Sequence, residues 1–401
     1  MKPTPRSLYI IATATWFFAF GLQSVVFAWL VTIVLHEPAQ LVGWAQTAVL
    51  APGMALILLA GALADRLGAD RQALLAQLVA ALAPWLLIAA LNAGVLSYTV
   101  MVVYALLMGT AQAFVTPARD GLLSFVAGGQ VQKTVLVTSL AQFSFQILGY
   151  WIAGFADRVG PSLILSVQSA VLLVGALAYV LISRADVVQR TVVTQSVLRG
   201  VVEGARTVMA SPVMRVVVVQ NIAMACFFMG CFIVAFPLVV REVFDGSSGD
   251  MATLYAFNSL GLVLTILVQL RVGHVRRPGR ALLAFQILGA VVLAWAGLVD
   301  NFLLFTAAVF CWGLCGGIAM PMSRTLMQEL APPEQRSRVM SFYAFSFMGA
   351  GPIGTVLNGY LAALFGPQMT IVICGVAMAT VALSMAVFSR LWHTESEVVA
   401  A

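Results

Sequence analysis

Apolar residues fall in runs of about 20 or more, separated by short polar or charged turns, and that is the length a helix needs to cross about 30 Å of hydrocarbon. The breaks place twelve spans near 8–35, 40–64, 72–92, 95–118, 133–156, 161–183, 212–240, 251–271, 281–299, 301–323, 338–363 and 368–390. The first run is too long for a signal-peptide core and has no persuasive small-residue cleavage site, so it reads as an uncleaved span. No segment is long and polar enough for a separate soluble domain. The pattern predicts an all-α membrane protein.

Composition supports this reading. The chain is 62% hydrophobic and 9% charged, against roughly 25% charged residues in soluble domains. The net charge of +6 is a matter of placement. With the amino terminus inside, only Arg158 and Arg241 of the 21 Lys and Arg residues fall on the outer face. That asymmetry is the positive-inside rule, which puts both termini in the cytoplasm and removes the case for a nucleic-acid partner. The 5 cysteines lie within spans and the 3 histidines pair with no Cys or carboxylate at ligand spacing. No metal and no cofactor are expected. Neither a nucleophile with its base nor a phosphate-binding loop is present, so an enzyme is not expected.

The two halves echo each other at an offset of about 204 residues. Gly109, Pro117 and Arg119 align with Gly313, Pro321 and Arg324. Phe143-Ser-Phe145 matches Phe345-Ser-Phe347, and Gly160-Pro161 matches Gly366-Pro367. The predicted organisation is a six-helix bundle over 1–183, a linker over 184–211, a second six-helix bundle over 212–391 and a tail over 392–401. Within the linker, Val197, Leu198, Val201, Val202, Ala205, Val208 and Met209 share one helical face. Arg199, Glu203 and Arg206 occupy the other, with Arg199 and Glu203 four apart and able to pair. This predicts an amphipathic helix on the inner membrane surface, tethering the halves.

Between the second and third spans stands Gly61-Ala-Leu-Ala-Asp65-Arg66-Leu-Gly68-Ala-Asp-Arg71. With the repeat, this loop resembles the signature loop of the major facilitator superfamily of transporters. The resemblance implies the major facilitator fold, with twelve transmembrane helices in two pseudo-symmetric bundles and cargo handled between them. It also implies a cytoplasmic gate: Asp65 faces the start of the eleventh span, where Arg336 and Arg338 add cations, and Asp65, Arg66 and Arg338 lock that side. Gly61 and Gly68 allow close packing and a tight turn. Arg119 and Arg324 each follow a proline near the end of an equivalent span. They read either as gate salt bridges and topology anchors or as contacts to an anionic group of the cargo.

The predicted spans carry no Asp or Glu near the membrane centre. A proton crossing the cavity would lack an obvious carrier, so protons stay open as partners and a carboxylate sodium site is not expected. Uncharged polar and aromatic side chains can line the cavity instead: Gln23 and Phe27 on the first span, Gln46 on the second, Gln112 on the fourth, Gln142 and Gln146 on the fifth. Asn221, Phe228, Asn258 and Asn358 come from the second half. Polar residues in spans either face the bundle interior or hold helices together. Such a lining suits a large amphipathic molecule.

Pro117-Ala-Arg119-Asp-Gly-Leu-Leu, followed by a polar turn and the fifth span, resembles the branch that includes the bacterial enterobactin exporter. That resemblance implies a monomeric exporter in the bacterial inner membrane, carrying siderophores, secondary metabolites or drugs by rocker-switch alternating access. The alternative is a lysophospholipid transporter of the same fold, since those also carry a Pro-Ala-basic motif there.

Overall fold

The computed structural model describes residues 4–127, 131–184, 197–272, 275–332 and 335–394, and every regular element among them is helical. The long helices fall where the apolar runs predict them. In the first half these are α1 Pro5–Val34, α2 Ala39–Leu67, α3 Ala69–Asn92, α4 Tyr98–Val126, α5 Val131–Ala153 and α6 Pro161–Arg184. The linker helix spans Val197–Ala210. The second half holds α7 Pro212–Glu242, α8 Ser248–Val272, α9 Pro278–Ala296, α10 Phe302–Leu330, α11 Arg336–Phe365 and α12 Pro367–Phe388. Among the described residues, 10 helices are long and apolar enough to cross a membrane. The helices α2 and α5, of 29 and 23 residues, have the length as well.

Local chemistry sets the helix starts. Thr4 caps α1, its hydroxyl accepting from Ser7 N at 3.2 Å, with Pro5 in the first turn. Ser211 caps α7 in the same way, followed by Pro212. Asn301 caps α10, accepting from the amides of Leu303 and Leu304 at 2.9 and 3.1 Å. Proline lacks an N–H and is well placed in a first turn, where that donor has no helical partner. Pro52, Pro84, Pro117, Pro321 and Pro352 instead lie inside helices, which membrane helices tolerate because neighbours satisfy the freed carbonyls. Helix α1 ends in a π-helical turn, Leu30–Val34, and α7 passes through two more, Met224–Met229 and Cys231–Ala235.

The internal repeat is visible in the packing. A Cβ on Gly21 of α1 would strike the Gln146 carbonyl of α5, and one on Gly149 of α5 would strike the Phe18 carbonyl of α1. The same mutual approach joins α7 and α11, where a Cβ on Gly230 would lie 2.6 Å from Gly354 O, and one on Gly354 2.6 Å from Cys226 Cα. Gly109 of α4 lies against Val49 O of α2, and its counterpart Gly313 of α10 against Asn258 O of α8. Small residues at these crossings let backbones meet where lipid supplies no hydrophobic drive between helices. Gly160 and Gly366, with φ of 87° and 81°, make equivalent turns into α6 and α12.

By compactness the chain divides into Met1–Glu37, Ala48–Val197 and Gly246–Thr253 as one unit, and Pro38–Thr47, Leu198–Asp245 and Leu254–Ala401 as the other. The boundary cuts α2 after Thr47 and α8 after Thr253. In the first unit, the Asp157 carboxylate accepts from Ser248 N at 2.6 Å and Ser248 Oγ at 2.7 Å, capping α8. In the second, Thr47 of α2 shares a 2.7 Å hydroxyl contact with Thr355 of α11, and a Cβ on Gly43 would lie 3.1 Å from Gly359 Cα.

Candidate substrate-binding and gate residues

In the first unit, α1, α4 and α5 each carry half-buried polar or aromatic positions. On α4, Gln112, Thr116 and Arg119 follow at helical spacing and are all half-buried, so they share a face. Thr116 Oγ1 donates to the Gln112 carbonyl at 2.9 Å. On α1, Phe17, Phe20 and Ser24 form a half-buried row, the two rings edge to face at 6.5 Å. On α5, Gln142 and Gln146 are half-buried, one turn apart, with Gln146 Nε2 donating to Tyr150 Oη at 2.5 Å. Gln23 and Phe27 are buried, at 6% and 3% exposure, with Phe27 stacked on Tyr104 at 6.0 Å, and Gln46, which falls in the second unit, is buried at 9%. Gln112, Gln142 and Gln146 are therefore accessible positions, whereas Gln23 and Phe27 sit within the bundle.

In the second unit the amides named from sequence make interhelical bonds. Asn221 of α7 donates to Tyr343 O and Ser346 Oγ of α11, both at 3.0 Å. Asn358 of α11 is fully buried and donates to Cys226 O at 2.9 Å, within the π-helical part of α7, and to Gly354 O at 2.8 Å. Its Oδ1 accepts from Cys374 Sγ at 3.1 Å. Both donors of Asn358 thus serve carbonyls near the irregular segment of α7. Asn258 is half-buried, its amide 3.4 Å from Val309 O. Phe228 packs edge-on against Trp312 at 5.4 Å. The same ring system includes Phe232, 4.8 Å from Tyr255 and 5.8 Å from Trp312, so α7, α8 and α10 build one aromatic cluster.

Several polar side chains escaped the sequence reading. Gln72 donates to Ala60 O and Phe114 O at 2.8 and 3.0 Å, tying α3 to α2 and α4. Gln168 of α6 bonds to Tyr104 at 3.1 Å. In the second half, Tyr343 Oη donates to Ser323 Oγ at 2.9 Å, and Ser323 to Gln220 Oε1 at 3.1 Å. Each glutamine interrupts an apolar run, the signal that flagged Gln142, so the pattern was visible but did not separate glue from lining.

At the loop between α2 and α3, Gly68 has φ of 91° and forms the N-cap of α3, with Asp70 buried in the first turn at 8% exposure. A carboxylate there faces unpaired backbone N–H groups. Gly61 is half-buried and Arg71 exposed. The side chains of Asp65 and Arg66 lie outside the described residues, as does that of Arg199. Arg338, at the start of α11, is ion-paired at 2.5 Å with Glu203 of the linker helix. The contact is close because Gly204 lies directly on the Arg338 backbone carbonyl, while Val201 and Val208 are buried on the same side. Arg324 is exposed. Arg119 is largely buried, its guanidinium 4.9 Å above the Phe17 ring and 3.4 Å from Asp120.

Twelve long helices in two repeated sets, with half-buried polar and aromatic positions and a charged α2–α3 junction, define a multi-pass membrane carrier. The chain belongs to the Major Facilitator Superfamily, whose profile matches residues 9–355 and 222–400; these are transporters, not enzymes. It is 26% identical over 406 residues, covering 97% of each chain, to a protein named multidrug efflux pump Tap from Mycolicibacterium fortuitum. Among solved structures it resembles the nucleoside transporter NupG, with TM-score 0.73 at 12% identity over 96% of this chain and 99% of that one. It also resembles the inward-open xylose transporter XylE from E. coli, with TM-score 0.71 at 14% identity over 98% and 97% of the chains. These two likenesses concern the fold alone.

Proposed function

We propose that this transporter exports an amphipathic small molecule (a siderophore, secondary metabolite or drug) across the bacterial inner membrane by rocker-switch alternating access. The full-length similarity to a protein named as a multidrug efflux pump carries this reading. The lining chemistry agrees with it. Half-buried amides on α4 and α5 offer hydrogen bonds, which suit a cargo of mixed polarity better than a small ion. In this reading both termini are cytoplasmic, and Asp65, Arg66 and the first turn of α11 form the inner gate. Arg338 there holds the linker helix through Glu203, so the linker is part of the gate assembly.

Transport is tested in proteoliposomes loaded with anionic, neutral and cationic amphipathic dyes, with and without an imposed pH gradient. Extrusion against a concentration gradient is the expected outcome. Simple equilibration of every dye, gradient or not, would overturn active export.

One observation favours a second reading, a lipid transporter of the same fold. A cavity of about 210 Å³ opens between α2, α3 and α4, lined by Leu63, Leu67, Leu75, Val79, Ala111 and Phe114. Such a lining matches an acyl chain. Selective thermal stabilisation by lysolipid over soluble aromatic dyes would bring this reading forward.

A further inference from the structure

We propose that Arg119 forms a binding subsite for an anionic group, a carboxylate or phosphate, in the first six-helix set; the inference rests on the transporter reading and names a chemical feature of its ligand. The Arg119 side chain is only 11% exposed. Its Nη1 is buried and has no hydrogen-bond partner among the described residues. On the other edge, Nε and Nη2 both reach the same Asp120 oxygen at 3.4 Å, and that carboxylate is 65% exposed. The backbone carbonyl of Arg119 is taken by Tyr9 Oη at 3.1 Å, and the guanidinium plane is steadied by the Phe17 ring.

A guanidinium removed from water needs acceptors for its N–H groups, and a long contact to one solvated carboxylate leaves most of that need unmet. The unmet N–H donors at Nη1 call for an acceptor, and a carboxylate or phosphate group supplies two oxygens of the kind arginine binds through parallel hydrogen bonds. The surroundings suit the rest of an amphiphile. Phe17 lies against the cation on α1 with Phe20 packed edge-on to it, and Thr116 and Gln112 continue the Arg119 face along α4. The subsite therefore takes the charged head of an anionic amphiphile, with the aromatic row beside its apolar part.

The test uses the full chain in phosphatidylcholine nanodiscs, with dansylated undecanoic acid and its neutral methyl ester as fluorescent probes. The native protein is expected to bind the acid about tenfold more tightly than the ester, and Arg119→Gln to remove that difference while leaving ester binding unchanged. Arg119→Lys keeps the charge without the planar fork and is expected to retain part of the preference, which also covers the case of a glutamine variant that unfolds on heating. Replacing a third of the lipid by phosphatidylglycerol separates the sources. Loss of the acid's advantage assigns the subsite to a lipid headgroup, and its persistence assigns it to cargo. Equal binding of acid and ester by the native chain, or equal weakening of both by Arg119→Gln, overturns the anion subsite alone. Failure to bind either probe overturns it together with the amphiphile-carrier reading.

Discussion

At the scale of single residues, identical chemistry has different roles according to what surrounds it. Asn358 has no exposure and its amide serves two carbonyls, whereas Gln142 is half-buried. Asn358→Ala removes the bond from α11 to the Cys226 carbonyl of α7 and leaves the Cys374 thiol without its acceptor, and is expected to cost about 1–3 kcal/mol. A clear drop in thermal unfolding temperature in detergent checks this. Gln142→Ala is expected to leave that temperature nearly unchanged and to lower the affinity for cargo, read by dye binding. Unaltered binding would reduce Gln142 to a packing role. In sequence the two positions look alike, both amides within apolar runs.

At the scale of helices, close crossings depend on the absence of side chains. A Cβ on Gly354 would lie 2.6 Å from Cys226 Cα, and backbone cannot yield as a flexible side chain can. Gly354→Leu is expected to force α7 and α11 apart and cost more than about 3 kcal/mol, the upper range for overpacking. Loss of a monodisperse peak on size exclusion is the readout. The linker helix gives a graded comparison. Its Glu203–Arg338 pair is about one-third exposed on both sides, so Glu203→Gln is expected to shift stability by less than about 1 kcal/mol. Gly204→Val places a branched side chain against the Arg338 carbonyl and is expected to displace the helix, which proteolysis at the linker would detect. Equal effects of the two substitutions would mean that charge rather than close packing seats the linker. The sequence predicts an amphipathic helix over this stretch; of its apolar row Val201 and Val208 are buried, while Val202 and Met209 are exposed. That this face meets α11 was not legible, because a helical wheel records which side is apolar and not what covers it.

At the scale of the whole molecule, the proposed gate predicts a population shift. Asp65→Asn removes the charge that faces the start of α11 in that proposal and is expected to favour the form with the cytoplasmic ends apart. Paired spin labels on α2 and α11 would report a longer distance distribution; unchanged distances would remove Asp65 from the gate. The positive-inside bias, the twelve apolar runs and the Gly109/Gly313 and Gly160/Gly366 correspondences were all readable beforehand. Hydropathy works here because backbone polar groups in lipid must be satisfied within a helix, leaving few alternatives once a run is long enough. Helix number, repeat and family follow from the order of residues alone.

Partner choice among polar groups inside the bundle does not follow in this way. Arg119 beside Phe17, Arg338 on Glu203, and Asn358 at the irregular turn of α7 join residues far apart in the chain. An amide in an apolar run is costly against lipid unless it finds a partner, and the sequence determined that much. Which carbonyl, ring or carboxylate it meets depends on how deep each helix sits and how it is rotated. Backbone contacts at glycines such as Gly21, Gly149 and Gly354 set those quantities, and only the tertiary structure decides them.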